Sequence, residues 1–324
     1  MGRTADWYNR FAREAHGRSQ VYEDWAIGVA EDDAVLLLLR ELPLAKRQPN
    51  LIFAVSRLLG APEVAYGPFR RWLLAHWPTV RDQALRRSTQ TNEPGRCAAV
   101  LPLLARIPGP LALLEVGASA GLCLYPDRYS YRYSYRYGTA AQLDPPVGPS
   151  TVVLSCATSG AVPVPSTLPT IVWRAGIDLA PLDVRKPSDR TWLETLIWPE
   201  QHERRARIRA AIDIVAADPP RIVRGDAVDA LAEVAAEAPQ DATLVVITCG
   251  TLVYLSRVDR GRFAAAVRGT SAHWIFLEGP AVLDEVQARL PPAPRDGLFA
   301  LAENARPVAY AAPHGQSIHW FASA

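Results

Sequence analysis

The chain has 324 residues, enough to bury a sizeable core and to form roughly two domains, and its 35 basic and 33 acidic side chains nearly cancel to a net charge of +2. Lys46 and Lys186 are the only lysines, no basic run occurs, and the arginine, alanine and proline content reflects a GC-rich codon set, so no nucleic-acid partner is expected. The four cysteines are scattered without a C-x-x-C pair, His314 and His319 have no third ligand close in sequence, and the longest aliphatic stretch, Ala34 to Leu39, is too short to cross a bilayer. No disulfide framework, metal centre or membrane partner is therefore predicted. With no apolar leader in the first residues, the expected location is the cytoplasm.

Residues 1 to 107 read as helices only. Ser19 precedes an amphipathic stretch running to Ile27, and Glu31, Asp32 and Asp33 supply first-turn acids before "AVLLLLREL", which Pro43 stops. Pro49 opens "NLIFAVSRLL", Gly60 follows its end, and a further helix is predicted from Pro68 to Trp77. The segment "TQTNEPGRCAAVLPLLARI" reads as a polar loop leading into a helix from Pro94. Its residues Asn92, Glu93 and Arg96 are candidates for a lid over a ligand, or for a simple turn and helix cap. This part is expected to be an all-α domain.

At Pro108 the pattern changes. "PLALLEV" is a short continuous apolar run ended by glycines, as a parallel strand covered on both faces should be. Strand-like runs then alternate with helical ones: "TIVWRAGIDL", a helix around Trp192 to Ala217, "RIVRGDA", a helix from Asp229 to Ala236, "ATLVVITC", a helix from Arg257 to Val267, and "HWIFLEG". That alternation predicts an α/β domain over 108–324. "GLFALAEN" and "SIHWFASA" are expected to close the sheet as antiparallel strands, and "TVVLSC" to be another strand. In "RYSYRYSYRYG", Tyr129, Tyr131, Tyr133, Tyr135 and Tyr137 lie two apart, which puts their phenols on one face of a strand. That face either packs inward or, with Tyr131 as the candidate contact, lines a substrate.

"LEVGASAGL" admits two readings. As G-x-S-x-G it would raise Ser119 on a strand-to-helix turn as a hydrolase nucleophile, with Asp284 or Asp296 and His314 in the required chain order. Against this, no H-G-G-G-like segment precedes it, and Pro126 cuts short the helix an elbow needs. As a cofactor turn, Gly117 and Gly121 let backbone approach a ligand, with Ala118 and Ser119 between them and Glu115 suited to a cationic amino-acid moiety. Asp178, ending the strand in "GIDLAPL" before Leu179, can accept bonds from ribose hydroxyls. Asp226 and Ala227 in "VRGDAVDAL" can meet an adenine, unless Asp226 is only a helix cap.

The series "LLEVGASAGL", "GIDLAPL" and "VRGDAVDAL" resembles motifs one to three of class I S-adenosylmethionine-dependent methyltransferases, over about residues 111 to 280. The whole chain, through "TQTNEPGR", "DRYSYRY", "RAGIDLAPLDV" and "WLETLIWPE", is also similar to a largely actinobacterial domain-of-unknown-function family regarded as methyltransferase-like. The resemblance implies a Rossmann-like class I methyltransferase sheet behind the helical domain, with the tyrosine segment as inserted strands. It also implies S-adenosylmethionine as cofactor and a small molecule as acceptor, and Thr248 near the end of the fourth strand joins the cofactor residues. Methyl transfer needs chiefly alignment, with a base only for an acceptor that must lose a proton; Tyr254, His202 and Glu200 are the candidates. Other uses of the same sulfonium, such as cyclisation or aminocarboxypropyl transfer, and a catalytically silent cofactor-binding module remain as alternatives.

Overall fold

A computed structural model of the chain describes residues 2–135 and 141–322. The chain divides into two compact units, Met1–Thr91 with Arg185–Arg209, and Asn92–Val184 with Ala210–Ala324. Among the described residues the helices are α1 (Gly2–Ala15), α2 (Gln20–Glu31), α3 (Asp33–Leu39), α4 (Pro49–Leu58), α5 (Tyr66–Arg86), α6 (Arg96–Leu104), α7 (Pro187–Thr195), α8 (His202–Ala217), α9 (Ala227–Ala235), α10 (Arg257–Arg268) and α11 (Asp284–Gln287).

The first unit is helical, and its local signals are those that start and stop helices. Ser19 Oγ accepts from Tyr22 N at 3.2 Å to cap α2, and Asp32 Oδ1 accepts from Ala34 N and Val35 N to cap α3. Its core is aromatic: Trp25 stacks on Phe69 with ring centroids 3.8 Å apart, and Phe53 meets Tyr8, Phe11, Tyr22 and Trp25. Helix α5 runs beyond the expected stop at Trp77, straight through Pro78. A proline forfeits one ladder bond, which the burial of Phe69, Leu73, Trp77, Val80 and Ala84 along the helix outweighs.

Residues 185–209 belong with this unit although they lie far along the chain. Arg57 Nη1 donates to Thr195 O and Ile197 O at 2.8 and 2.7 Å, and Trp198 Nε1 donates to Asn50 Oδ1 at 2.9 Å. Conversely α6, expected with the N-terminal helices, is part of the second unit. Every residue from Arg96 to Leu104 is buried, and Ala98 O accepts from the Tyr133 hydroxyl at 2.8 Å. The division thus falls before Asn92, not at the composition change near Pro108.

The second unit is mixed α/β around a large, mostly parallel sheet. Its strands are β1 (Leu111–Val116), β2 (Ser130–Tyr135), β3 (Ala141–Leu143), β4 (Val153–Ser159), β5 (Ile171–Asp178), β6 (Arg221–Arg224), β7 (Thr243–Cys249), β8 (His273–Glu278), β9 (Phe299–Glu303), β10 (Arg306–Ala311) and β11 (Ser317–Trp320). Their order is β3-β2-β4-β11-β10-β9-β8-β7-β1-β5-β6. The five strands β6, β5, β1, β7 and β8 run parallel to one another. From β1 the chain builds outward to β5 and β6, then returns to the other side of β1 with β7 and β8. The reversal point lies between β1 and β7, where open α/β sheets bind ligands beyond the carboxyl ends of their strands.

Beyond β8 the sheet turns antiparallel through β9, β10 and β11, then takes in the tyrosine insertion by parallel pairing of β11 with β4 and of β4 with β2. Strand β10 was not expected from sequence. It follows a tight turn in which Asn304 and Ala305 both have positive φ, 50° and 60°, the backbone that a two-residue hairpin demands. β1 is buried at every position, whereas β4 alternates buried and exposed, as their sequences require. No helix among the described residues is long and apolar enough to cross a membrane.

Candidate functional site

Strand β1 ends at Val116, and the chain then bends through Gly117, Ser119 and Gly121, whose φ values are +78°, +51° and +76°. Ser119 is the residue for which that conformation costs most, since a side chain disfavours it. Its neighbours hold it there. Ser119 N donates to Asp178 Oδ2 at 2.8 Å, Leu182 N donates to Ser119 O at 3.1 Å, and the Asn92 amide donates to Ser119 Oγ while accepting from Ala120 N at 3.1 Å. Gly117 N and Ala118 N both donate to Ile177 O, at 2.8 and 3.2 Å. The bend after β1 is thereby sewn to the end of the adjacent parallel strand β5.

Asp178 is the centre of that stitching. Besides Ser119, its carboxylate accepts from Ala180 N at 2.8 Å through Oδ1. Two carboxylate oxygens offer about four acceptor positions, so two accepted bonds leave capacity for further donors. The side chain is half-buried, and Leu179 beside it is 70% exposed. Asp226 is exposed and caps α9, with Oδ1 accepting from Val228 N at 2.8 Å; Ala227 is the buried first residue of that helix.

Behind the bend lies a buried polar cluster. Glu115 is nearly closed off from solvent, its Oε2 has no hydrogen-bond partner, and burial pushes its carboxyl well above the usual range, only partly offset by Arg96. Arg96, itself buried, donates through Nε to Pro313 O at 3.0 Å and through Nη1 to Cys249 O at 2.5 Å. Glu278 ends β8 wholly buried; its Oε1 accepts from Thr251 N and Leu252 N at 2.8 and 3.1 Å, its Oε2 has no partner, and burial lifts its pKa to about 7. Sequence reasoning passed over Glu278, although it ends an apolar run as Glu115 does: "HWIFLE" repeats the signal of "LALLE".

The bend's glycines are required by protein contacts. A Cβ on Gly117 would lie 2.1 Å from Thr251 Oγ1, and one on Gly121 would lie 2.9 Å from Pro220 Cγ. Thr251 begins the loop after β7, which carries Tyr254 at 81% exposure. Thr248 is wholly buried and its Oγ1 accepts from Trp274 Nε1 at 3.1 Å, a packing role inside the sheet.

Several candidates sit elsewhere. Glu200 belongs to the first unit, where it accepts from Ser19 Oγ and from Val21 N at 2.9 Å. Burial alone would raise its pKa, but these bonds outweigh it and hold the carboxyl below its ordinary range. A carboxylate so occupied ties α2 to the 185–209 segment and is a poor base. His202, also in the first unit, is an exposed first residue of α8.

Asn92, Glu93 and Arg96 are buried beside the bend, so they brace it and are not an open lid; Glu93 Oε1 also accepts from Gly95 N at 3.1 Å. Tyr131 is wholly buried and donates its hydroxyl to Pro126 O at 2.6 Å, so it packs inward and does not line a ligand surface. Tyr129 and Tyr133 are buried likewise, Tyr135 is half-buried, and Tyr137 lies outside the described residues.

The hydrolase arrangement finds little geometric support. Asp284 is a surface residue paired with Arg257, and Asp296 is exposed. His314 packs its backbone against Gly95. After the bend comes only a three-residue helical turn, Leu122–Leu124, in place of the buried helix that supports a nucleophile elbow. Among the described residues no group of three or more His, Cys, Asp or Glu is arranged to hold a metal.

Residues 5–320 match the model of DUF2332, described as an uncharacterized protein conserved in bacteria, and the chain belongs to that family. No curated protein and no solved structure matches it.

Proposed function

We propose that this member of the family binds S-adenosylmethionine beyond the carboxyl ends of β1 and β5 and transfers its methyl group to a small molecule. The observation that carries the reading is the interlock beside the reversal point: a bend of three positive-φ residues after β1, bonded by Asp178 from the end of the adjacent β5, next to a buried Glu115 oxygen without a partner. The parallel β6-β5-β1-β7-β8 order and the acids Glu115, Asp178 and Asp226 near the carboxyl ends of β1, β5 and β6 support the Rossmann-like reading.

The residues fit the group. Asp178 retains acceptor positions for the two ribose hydroxyls, and exposed Leu179 offers an apolar face for a base. Asp226 Oδ2 and the Ala227 amide, at the start of α9, suit an adenine edge. The unpartnered Glu115 oxygen suits an ammonium, which would also remove the cost of burying that carboxylate alone. When bound, S-adenosylmethionine supplies a methyl already activated on a sulfonium. The chain has then to align an acceptor and exclude water, and exposed Tyr254, on the loop after β7, is the candidate to meet that acceptor.

Calorimetry with S-adenosylmethionine and S-adenosylhomocysteine tests the reading. Binding to the wild type that is lost or weakened at least about tenfold in a folded Asp178→Ala variant, the equivalent of about 1.4 kcal/mol, supports it. Equal affinity in that variant rejects Asp178 as the ribose acid. Mass analysis of products from methyl-labelled cofactor separates methyl transfer from cyclisation, aminocarboxypropyl transfer and silent binding.

A further inference from the structure

The loop after β7 is held in an unusual way. It contains a single three-residue helical turn, Leu252–Tyr254, too short to be stable on its own. Two charged side chains grip it from opposite ends of its dipoles. Glu278, at the end of β8, accepts from the Thr251 and Leu252 amides through Oε1. Arg260, on α10, donates through Nε to Leu252 O and Leu255 O at 2.9 and 3.2 Å, through Nη2 to Val253 O at 3.0 Å, and through Nη1 to Val282 O at 3.2 Å. A carboxyl oxygen on the amides and a guanidinium cation on the carbonyls hold the turn from both sides, and the four Arg260 bonds are charge-assisted, roughly twice as strong as neutral ones.

The grip has a consequence at the bend. Thr251, whose amide Glu278 holds, fills the space that a Gly117 side chain would need, with Oγ1 only 2.1 Å from that Cβ position. The height of the loop therefore fixes the height of Gly117, and the same loop projects Tyr254 and half-exposed Val253 outward. Stability alone does not account for Glu278. A wholly buried carboxylate with one orphan oxygen is a costly way to cap a turn, and an apolar core residue generally folds as well or better.

Resting on the cofactor reading above, we infer that Glu278 and Arg260 are positioning residues: they clamp the 251–255 loop so that Thr251 forms the floor under Gly117 and Tyr254 faces the acceptor. Neither touches the cofactor. Both act through the loop, and Arg96, donating to Cys249 O just before it, steadies its near end.

Amide hydrogen exchange and S-adenosylhomocysteine calorimetry on the full chain, in wild type, Glu278→Ala, Glu278→Gln and Arg260→Met, test this together. Glu278→Ala should speed exchange at Thr251 and Leu252 at least about tenfold, leave the amides of β1 and β5 protected, and weaken S-adenosylhomocysteine about tenfold. Glu278→Gln keeps an oxygen on the two amides and should restore both to within about threefold of wild type. Arg260→Met should loosen the same segment from its carbonyl side, and it carries the test if Glu278→Ala does not fold. Wild-type exchange at Thr251 and Leu252 in Glu278→Ala overturns the clamp. Fast exchange with unchanged affinity overturns its positioning role. Wild type that fails to bind S-adenosylhomocysteine brings down the cofactor reading and that role with it, while the exchange rates still decide whether the clamp exists.

Discussion

The two most unusual stretches of this chain, the glycine bend and the tyrosine strand, are both buried and both polar, yet they settle their polar groups differently. In the tyrosine segment, among the described residues, every wholly buried phenol closes on a backbone carbonyl: Tyr129 on Leu122, Tyr131 on Pro126 and Tyr133 on Ala98. Around the bend, carboxylates are left incomplete: Glu115 and Glu278 each bury an oxygen with no partner, and Asp178 has acceptor positions to spare. A satisfied buried group is part of the packing, whereas an unsatisfied one at the carboxyl ends of parallel strands asks for a ligand. The tyrosines are thus part of the packing, and the bend is where the proposed ligand site falls.

The comparison can be broken most severely at Gly117. Alanine there must hold a φ of +78°, costing about 1–2 kcal/mol, and must also displace Thr251. Cofactor binding should vanish and the melting temperature fall; a Gly117→Ala protein with wild-type affinity would remove the bend from the site.

Glu278 gives the next largest effect, through pH. Its folded pKa of about 7 lies above the ordinary 4.5, because burial outweighs the help of Arg96 and Arg260. The folded state holds this proton more tightly than the unfolded one, so its contribution is full below about pH 4.5 and is lost as pH rises through 7, by an amount on the order of 3 kcal/mol. Glu278→Gln should flatten denaturation free energy against pH between these limits and gain on wild type at pH 8. Parallel profiles for the two proteins would contradict this.

Asp178→Ala should cost about 2 kcal/mol of stability as well as affinity, since Ser119 N and Ala180 N lose their acceptor. Urea denaturation measures the first and calorimetry the second. The smallest change is expected from Tyr133→Phe, which strips a bond from Ala98 O and should cost about 1 kcal/mol with cofactor affinity untouched. A loss of affinity there would blur the distinction between the two regions.

Much of the sheet was legible because β1, β7 and β8 are continuous apolar runs and their order follows from alternation with helices. The placement of Gly117, Ser119, Asp178 and Asp226 at strand ends was legible for the same reason. What local pattern could not reveal were partners far apart in sequence. Asn92 reads as a loop residue until Ser119 is found on its amide, and Glu200 reads as a surface acid until Ser19 and Val21 are found on its carboxylate. The helix expected to stop at Trp77 is carried through Pro78 by tertiary burial, and strand β10, which holds Pro307, has no apolar run to announce it. Helix α6 carries an apolar, helical sequence that says nothing of which unit buries it.

The central claim is that the bend after β1 and the acid after β5 together receive an adenosyl ligand. Thermal denaturation with and without S-adenosylhomocysteine is its most direct test. A ligand at a hundredfold excess over its dissociation constant stabilises a native site by about 2.7 kcal/mol, so a rise of several degrees is predicted for the wild type and at most about half that rise for Asp178→Ala. An unmoved wild-type transition at millimolar ligand would contradict it.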